Sequence, residues 1–468
     1  MSVDSQIYDR RYWFLMVAAL SAFIATLDAS IVNVSLPTLS RTFSAPIDLV
    51  AWVVLAYSLT ITSILLLVGR IAVRKGYRFT YLTGFSLFTL GSLFCSLSNS
   101  IWPLIASRVL QGIGSAFLMA SGPALITRAF PVRERGRGMG IIGTAVGVGL
   151  MSGPPLGGYL VTAVGWQSVF LINIPIGIFG FIYAGRLLRL LKPDHPESRI
   201  DLVGAIFQII GIVCLLLFFN RLYHPNWTPE MLLLVIGLAI AGIAGFFWRE
   251  THTENPLLGL SIFTHRQFSI AITTSLLVFI CTSSGLVLIP FYLEELLHLL
   301  PRQVGLVLVT IPICTLIVAP IAGRVSDAVG YRFLTTAGLI VFIFGVFWTA
   351  TLDVDSSRFD VVQRLILIGI GLGIFQTPNS SAMMSSVPRK NVGIASGLLA
   401  VARNLGLATG VAVSTAMFTS RRNLYGEVMS SSASFENAFQ WVVAAVGCLA
   451  IVAVIISILR QNRPEKFV

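Results

Sequence analysis

Apolar residues run through this chain in long stretches separated by short polar loops. A bilayer-spanning helix needs about 20 mostly apolar residues, and fourteen runs reach that length. They cover 12–36, 48–70, 79–99, 102–127, 137–163, 167–188, 202–220, 231–248, 268–293, 303–323, 333–352, 362–384, 392–419 and 437–459. The runs are too long for membrane strands and lack alternation of period two. The pattern therefore predicts an all-α polytopic membrane protein with about 14 transmembrane helices. The first run is also too long for the core of a signal peptide, so it reads as the first span.

The polar interruptions divide the chain. Six spans end near Leu191, and the polar stretch KPDHPESRID (192–201) follows. Two further runs lead to RETHTENP (249–256), and six more spans complete the chain. The expected organisation is a six-helix bundle over 1–191, a linker with two extra helices over 192–256, and a second six-helix bundle over 257–468. A repeat supports this division. GRIAVRKGYR (69–78) follows the second span of the first half, and GRVSDAVGYR (323–332) follows the second span of the later half. Both open Gly-Arg and close Gly-Tyr-Arg at one spacing, the trace expected of duplicated halves.

Composition agrees with the pattern. Of 468 residues, 56% are hydrophobic and 11% charged, against about 25% charged in soluble domains. The net charge of +12 raises the question of nucleic acid. Binding it needs a contiguous basic face, and here the basic residues are scattered over short loops. With Arg10 and Arg11 included, roughly 23 basic residues fall in alternate loops on one side and 7 on the other, a bias that predicts both termini in the cytoplasm. Arg108 and Arg403 belong to neither set, because they lie within spans. The five cysteines, Cys95, Cys214, Cys281, Cys314 and Cys448, are scattered through apolar runs. They read as small core residues, with neither a disulfide framework nor a metal site indicated. No cofactor motif appears.

Few polar groups interrupt the spans. Asp28, in LDASIVNVSLP (27–37), stands midway along the first. A carboxylate at that depth is costly, and desolvation raises its pKa unless a cation is near. Such a group can bind and release protons or pair with a cationic ligand. Arg108, in RVLQGIGSA (108–116), keeps its charge and needs a partner or water. Asp28 is one candidate partner. Gln111 with Gly112 and Gly114 lets water or another helix approach. Asn33, Gln111 and Arg403 are candidates for lining a substrate cavity. In GVGLMSGPPLGG (147–158), Gly149, Gly153 and Gly157 recur every four residues, so they lie near one helix face and permit close packing. Pro154 and Pro155 remove backbone donors within that face and favour a kink. Asp327 and Arg324, with Gly323 and Gly330, sit in a tight turn where the acid can cap the next helix. Glu294 and Glu295 at a helix end read as solvated, His298 is alone near an interface, and Asn226-Trp-Thr is a short glycosylation sequon. Ser-His-Asp order, HExxH and a P-loop are all missing, so no enzyme is expected.

Taken together, these segments resemble the major facilitator superfamily, and within it the fourteen-span drug:proton antiporter branch. LDASIVNVSLP is similar to that branch's first-helix motif, RVLQGIGSA to its fourth-helix Arg motif, and GLMSGPPLGG to its fifth-helix antiporter motif. GRIAVRKGYR and GRVSDAVGYR resemble its cytoplasmic loop motif, placing Gly69, Gly76, Arg78, Gly323, Asp327, Gly330 and Arg332 among the conformational residues. WQSVFLINIPIG (166–177) is similar to the start of its sixth helix. The chain departs from the pattern at Val73, where the loop motif has Asp, and at Gln167, where Arg is common. The resemblance implies two six-helix bundles with two inserted helices, alternating access, and proton-driven export with Asp28 as proton or cation site and Arg108 as its modulator.

The resulting expectation is a monomeric secondary transporter of the cytoplasmic membrane. It would export amphipathic or cationic small molecules against protons. Its partners would be the lipid bilayer, protons and a small-molecule substrate. The alternative within the same fold is export of an endogenous metabolite such as a siderophore, a lipid or an amino-acid derivative. A membrane sensor or lipid-modifying enzyme is disfavoured by the duplicated halves and the lack of a catalytic constellation.

Overall fold

The computed structural model describes residues 8–131, 134–191, 200–222, 227–253, 256–388, 392–426 and 430–460. Among these there is no strand. In hydrocarbon every backbone N–H and C=O needs an internal partner, and a helix supplies them all. Among the described residues, fourteen helices are long and apolar enough to cross a membrane: α1 (Arg11–Phe43), α2 (Ile47–Lys75), α3 (Tyr77–Ser96), α4 (Ile101–Ala120), α5 (Arg137–Ala163), α6 (Ser168–Leu187), α7 (Leu202–Arg221), α8 (Pro229–His252), α9 (Arg266–Glu295), α10 (Pro301–Ser326), α11 (Tyr331–Thr349), α12 (Arg358–Ser385), α13 (Ile394–Leu424) and α14 (Ser432–Ile458). Large apolar side chains such as Leu233, Ile240, Phe333 and Phe344 are exposed, as lipid-facing surfaces require.

Several boundaries differ from the apolar runs. The fourth run extends to residue 127, but the span ends at Ala120 and a separate helix covers Gly122–Ala129 with a proline in its first turn. That proline has no N–H to continue the preceding ladder. Conversely, α9 continues past its apolar run through Glu294 and Glu295.

Contacts group the chain into two compact units. The first comprises Met1–Ser35, Trp52–Leu215 and Ile236–Gly259. The second comprises Leu36–Ala51, Leu216–Val235 and Leu260–Val468. The change of unit within α1 falls next to Pro37, which interrupts that helix's hydrogen-bond ladder.

In the first unit, α4 packs on α2 and α3, and α3 also packs on α6. Glycines set the close approaches. Gly91 lies against the backbone of Gln111, Gly114 against Phe88, and Gly112 against Tyr57 and Thr60. The face formed by Gly149, Gly153 and Gly157 of α5 lies on Thr26, Ser30 and Ile31 of α1. The inserted helices meet at Gly211 and Gly242. Near their ends, Arg249 bonds Asp201 at 2.9 and 3.1 Å, and Glu250 accepts from the backbone N–H groups of Leu257, Leu258 and Gly259.

The second unit repeats the pairings. α12 packs on α10 and α11, α11 also packs on α14, and α9 packs on α13. Gly345 lies against Ile368, Gly371 against Phe342, Gly369 against Ile311 and Cys314, and Gly406 and Gly410 against Phe279 and Ser283. The shared loop motif also folds alike. Gly76 (φ 87°) and Gly330 (φ 99°) each stand at the N-cap of the following helix in a conformation that L side chains rarely adopt. Gly330 occupies the N-cap position of α11, and the backbone of Asp327 lies inside the preceding helix, Thr310–Val329.

Candidate functional site

Asp28 and Arg108 are brought together in the first unit, both with fully buried side chains. Arg108 Nη1 donates to Asp28 Oδ2 at 2.6 Å and to Gln111 Oε1 at 2.5 Å. Arg108 Nε donates to the Val53 carbonyl of α2 at 2.8 Å. The other carboxylate oxygen, Asp28 Oδ1, accepts from Gln111 Nε2 and from Asn173 Nδ2, each at 2.8 Å. Thus one carboxylate on α1 is held by donors from α4 and α6. Helical periodicity places Arg108 and Gln111 three residues apart on one face of α4, so both reach it.

The surroundings complete the arrangement. Gln111 Nε2 also donates to Ser92 of α3 at 2.8 Å. The guanidinium of Arg108 lies 4.1 Å from the ring centroid of Tyr57, whose hydroxyl bonds Ser115 and the Ala25 carbonyl. Arg108 Nη2 and Asn173 Oδ1 are buried without a hydrogen-bond partner among the described residues. An ion pair is thus enclosed with two polar atoms left open. Taking a charge pair out of water costs several kcal/mol per ion, roughly, before its attraction is counted.

The remaining sequence candidates are dispersed. Asn33 is buried one turn further along α1 and donates to the Ala29 carbonyl at 3.1 Å. Arg403 is half-buried on α13 in the second unit. Gly69 has open space where a Cβ would stand, and Gly323 faces Thr377. Arg78 donates to the Gly185 carbonyl at 3.3 Å. Pro154 of α5 is buried. Arg332 lines a cavity of about 370 Å³ with Phe333, Thr336, Ala337, Ile340 and Ile458. The side chain of Asp327 and residues 223–226, which hold Asn226, lie outside the described part.

Sequence reasoning missed several groups. Asn173 stands in WQSVFLINIPIG (166–177), where a lone amide in an apolar run is its only signal. The Val53 carbonyl is a backbone acceptor and carries no sequence signal. Glu294 is not solvated. Its side chain is enclosed and ion-paired with Arg41, while Glu295 pairs with Arg422 at 3.6 Å. Arg460 is also enclosed and donates to Asn379, which in turn donates to Ser275 at 2.7 Å and the Ala271 carbonyl at 3.0 Å. Burial pushes the Arg460 guanidinium down to about 10.

Comparison with known proteins agrees with this architecture. The family model described as Major Facilitator Superfamily matches residues 18–411. Riboflavin transporter RibZ of Clostridioides difficile is 31% identical over 460 residues, covering 98% of this chain and 99% of that protein. Multidrug resistance protein Stp of Mycobacterium tuberculosis is 32% identical over 400 residues, covering 85% and 74%. Among solved structures, a POT family transporter in complex with 5-aminolevulinic acid superposes with TM-score 0.70 at 15% identity, covering 95% and 96%, a likeness of fold alone. With fourteen spans, duplicated helix pairing and this match, the chain belongs to the major facilitator superfamily and is a multi-pass membrane transporter, not an enzyme.

Proposed function

We propose that this transporter is a proton-coupled exporter of amphipathic small molecules in the cytoplasmic membrane, with Asp28 as the coupling acid. Both termini would face the cytoplasm, as the basic loops predict. Asp28 in its ionised form accepts three bonds and ties α1 to α4 and α6. A proton on Asp28 removes the charge that holds Arg108. The pair then separates, and the helices it joins are released from one another. Substrate that favours the ionised arrangement competes with the proton for Asp28, and this linkage is what proton-driven export requires.

The observation that carries this reading is the chain's own second half. Aligning the glycine contacts of the two halves places Cys281 at the position of Asp28, Leu365 at that of Arg108 and Ile368 at that of Gln111. The same helix frame packs there with uncharged residues, so the frame does not need the ion pair. A costly pair without a structural requirement is most simply retained for function.

The relatives' names point to two kinds of cargo. Stp is named for multidrug resistance and RibZ for riboflavin. The near-complete coverage of both chains by the RibZ match favours, as a second reading, one flavin-like metabolite as cargo. Proteoliposomes with an imposed pH gradient test both. Ethidium and riboflavin serve as probes, with wild type compared with Asp28→Asn. Gradient-driven movement should be present in wild type and lost in Asp28→Asn. Unchanged gradient dependence in Asp28→Asn removes Asp28 as coupling acid, and the moving probe separates the two cargo readings.

A further inference from the structure

A second acid is enclosed in the second unit. Glu294 lies at the end of α9, and its side chain is fully buried. One oxygen, Oε2, accepts from Arg41 Nη2, while Oε1 has no partner among the described residues. Arg41 comes from the last turn of α1, in the stretch Leu36–Ala51 that belongs to the second unit. Its side chain is 63% exposed. A solvent-facing guanidinium therefore lies over a carboxylate that water does not reach. On the orientation that the basic loops predict, this end faces outward.

The charges around Glu294 come from few elements. Arg41 of α1 and the adjacent Glu295 of α9 act on it directly. Glu295 is itself paired with Arg422 of α13. Glu436 of α14 bonds the Val354 N–H, and Asp48 stands on the short helix Ile47–Val50 that packs against α13. Arg41 is thus the cation paired to Glu294, and it holds the end of α1 to α9. The two charges differ in their access to water, so the pair is asymmetric. Arg41 can be rehydrated by rotation of an exposed side chain. Glu294 can leave its charged state only by taking a proton.

We propose that Glu294 is a second proton-binding site, whose protonation frees Arg41 and loosens the end of α1 from α9. This deepens the proton-coupled reading and rests on it for its role in transport. The proton adds to a carboxylate oxygen, the ion pair becomes a neutral acid beside a solvated guanidinium, and no other bond changes. The sign follows. The latch is closed when Glu294 is ionised and opens as the outside pH falls through its titration. Outside protons thereby favour opening on the side from which they enter, while the carboxylate on the same helix, Asp28, is tied to α4 and α6.

Hydrogen–deuterium exchange of the full chain in nanodiscs tests this without any substrate. In wild type, exchange over residues 36–51, corrected for intrinsic pH dependence, should rise on the order of tenfold as pH falls, the scale of one charge-assisted bond lost. Glu294→Gln should show the raised rate at every pH. Arg41→Gln, a change at an exposed side chain, should do the same. Glu295→Gln should leave the pH dependence of this segment in place. An identical pH profile in wild type and Glu294→Gln overturns the proposal, as does equal behaviour of Glu295→Gln and Glu294→Gln. Failure of proton-driven transport in proteoliposomes would instead count against the exporter reading, and the exchange result stands apart from it.

Discussion

The two six-helix halves of this protein share a frame and differ in what the frame encloses. In α1–α6, close contacts at Gly91, Gly112, Gly114 and Gly153 surround Asp28, Arg108, Gln111, Ser92, Tyr57 and Ser115. In α9–α14, the counterparts Gly345, Gly369, Gly371 and Gly410 surround Cys281, Leu365, Ile368, Val346, Ile311 and Leu372. Each of these six polar residues has an uncharged counterpart, and all but Cys281 are plain hydrocarbon. The second half instead buries its charges near helix ends, as Glu294 under Arg41 and Arg460 on Asn379. The two sets of helices thus share the small residues that fix helix distance and differ in their polar interior. In membranes close packing of small residues drives helix association, so the glycine contacts are the shared necessity. The ion pair is the specialised part.

Substitutions can break this comparison. The largest effect is expected from Arg108→Leu, which leaves Asp28 enclosed and unpaired. Removing one partner of a buried pair costs about 3–5 kcal/mol, measurable as a loss of thermal stability in detergent. Asp28→Cys with Arg108→Leu and Gln111→Ile, which copies the second half into the first, should recover most of that stability while gradient-driven transport stays lost. A triple variant as unstable as Arg108→Leu would mean that the pair holds the frame.

An intermediate effect is expected from the glycines. A Cβ on Gly153 would overlap Ser30, and one on Gly410 would overlap Ser283. Gly153→Ala and Gly410→Ala should each cost roughly 1–3 kcal/mol, the scale of overpacking, with Gly410→Ala the larger because its Cβ also meets the Ile280 carbonyl. A negligible cost at either position would deny that the packing frame is shared. The smallest effect belongs to Cys281→Ala. Its thiol makes only a weak contact, 3.5 Å to the Val446 carbonyl. A cost of about 1 kcal/mol or less is expected, with the pH dependence of transport unchanged.

Much of this was legible in the sequence because the bilayer imposes length and polarity together. The fourteen runs, the loop repeat around Gly76 and Gly330, and the isolation of Asp28 and Arg108 all follow from that constraint. What escaped reading depends on contacts between distant helices. Asn173 becomes a donor to Asp28 only because α6 packs on α3 beside α4. Glu294 read as solvated because it follows an apolar run, but α9 continues through it and places it beneath Arg41.

The central claim is that Asp28 exchanges a proton when substrate is taken up. The most direct measurement is the pH change of a weakly buffered solution of purified protein on addition of ethidium or riboflavin, whichever binds. Wild type should release protons on binding. Asp28→Asn should bind the same probe and release fewer, by the share that Asp28 contributes. Equal proton release from Asp28→Asn and wild type at saturating probe would contradict the account.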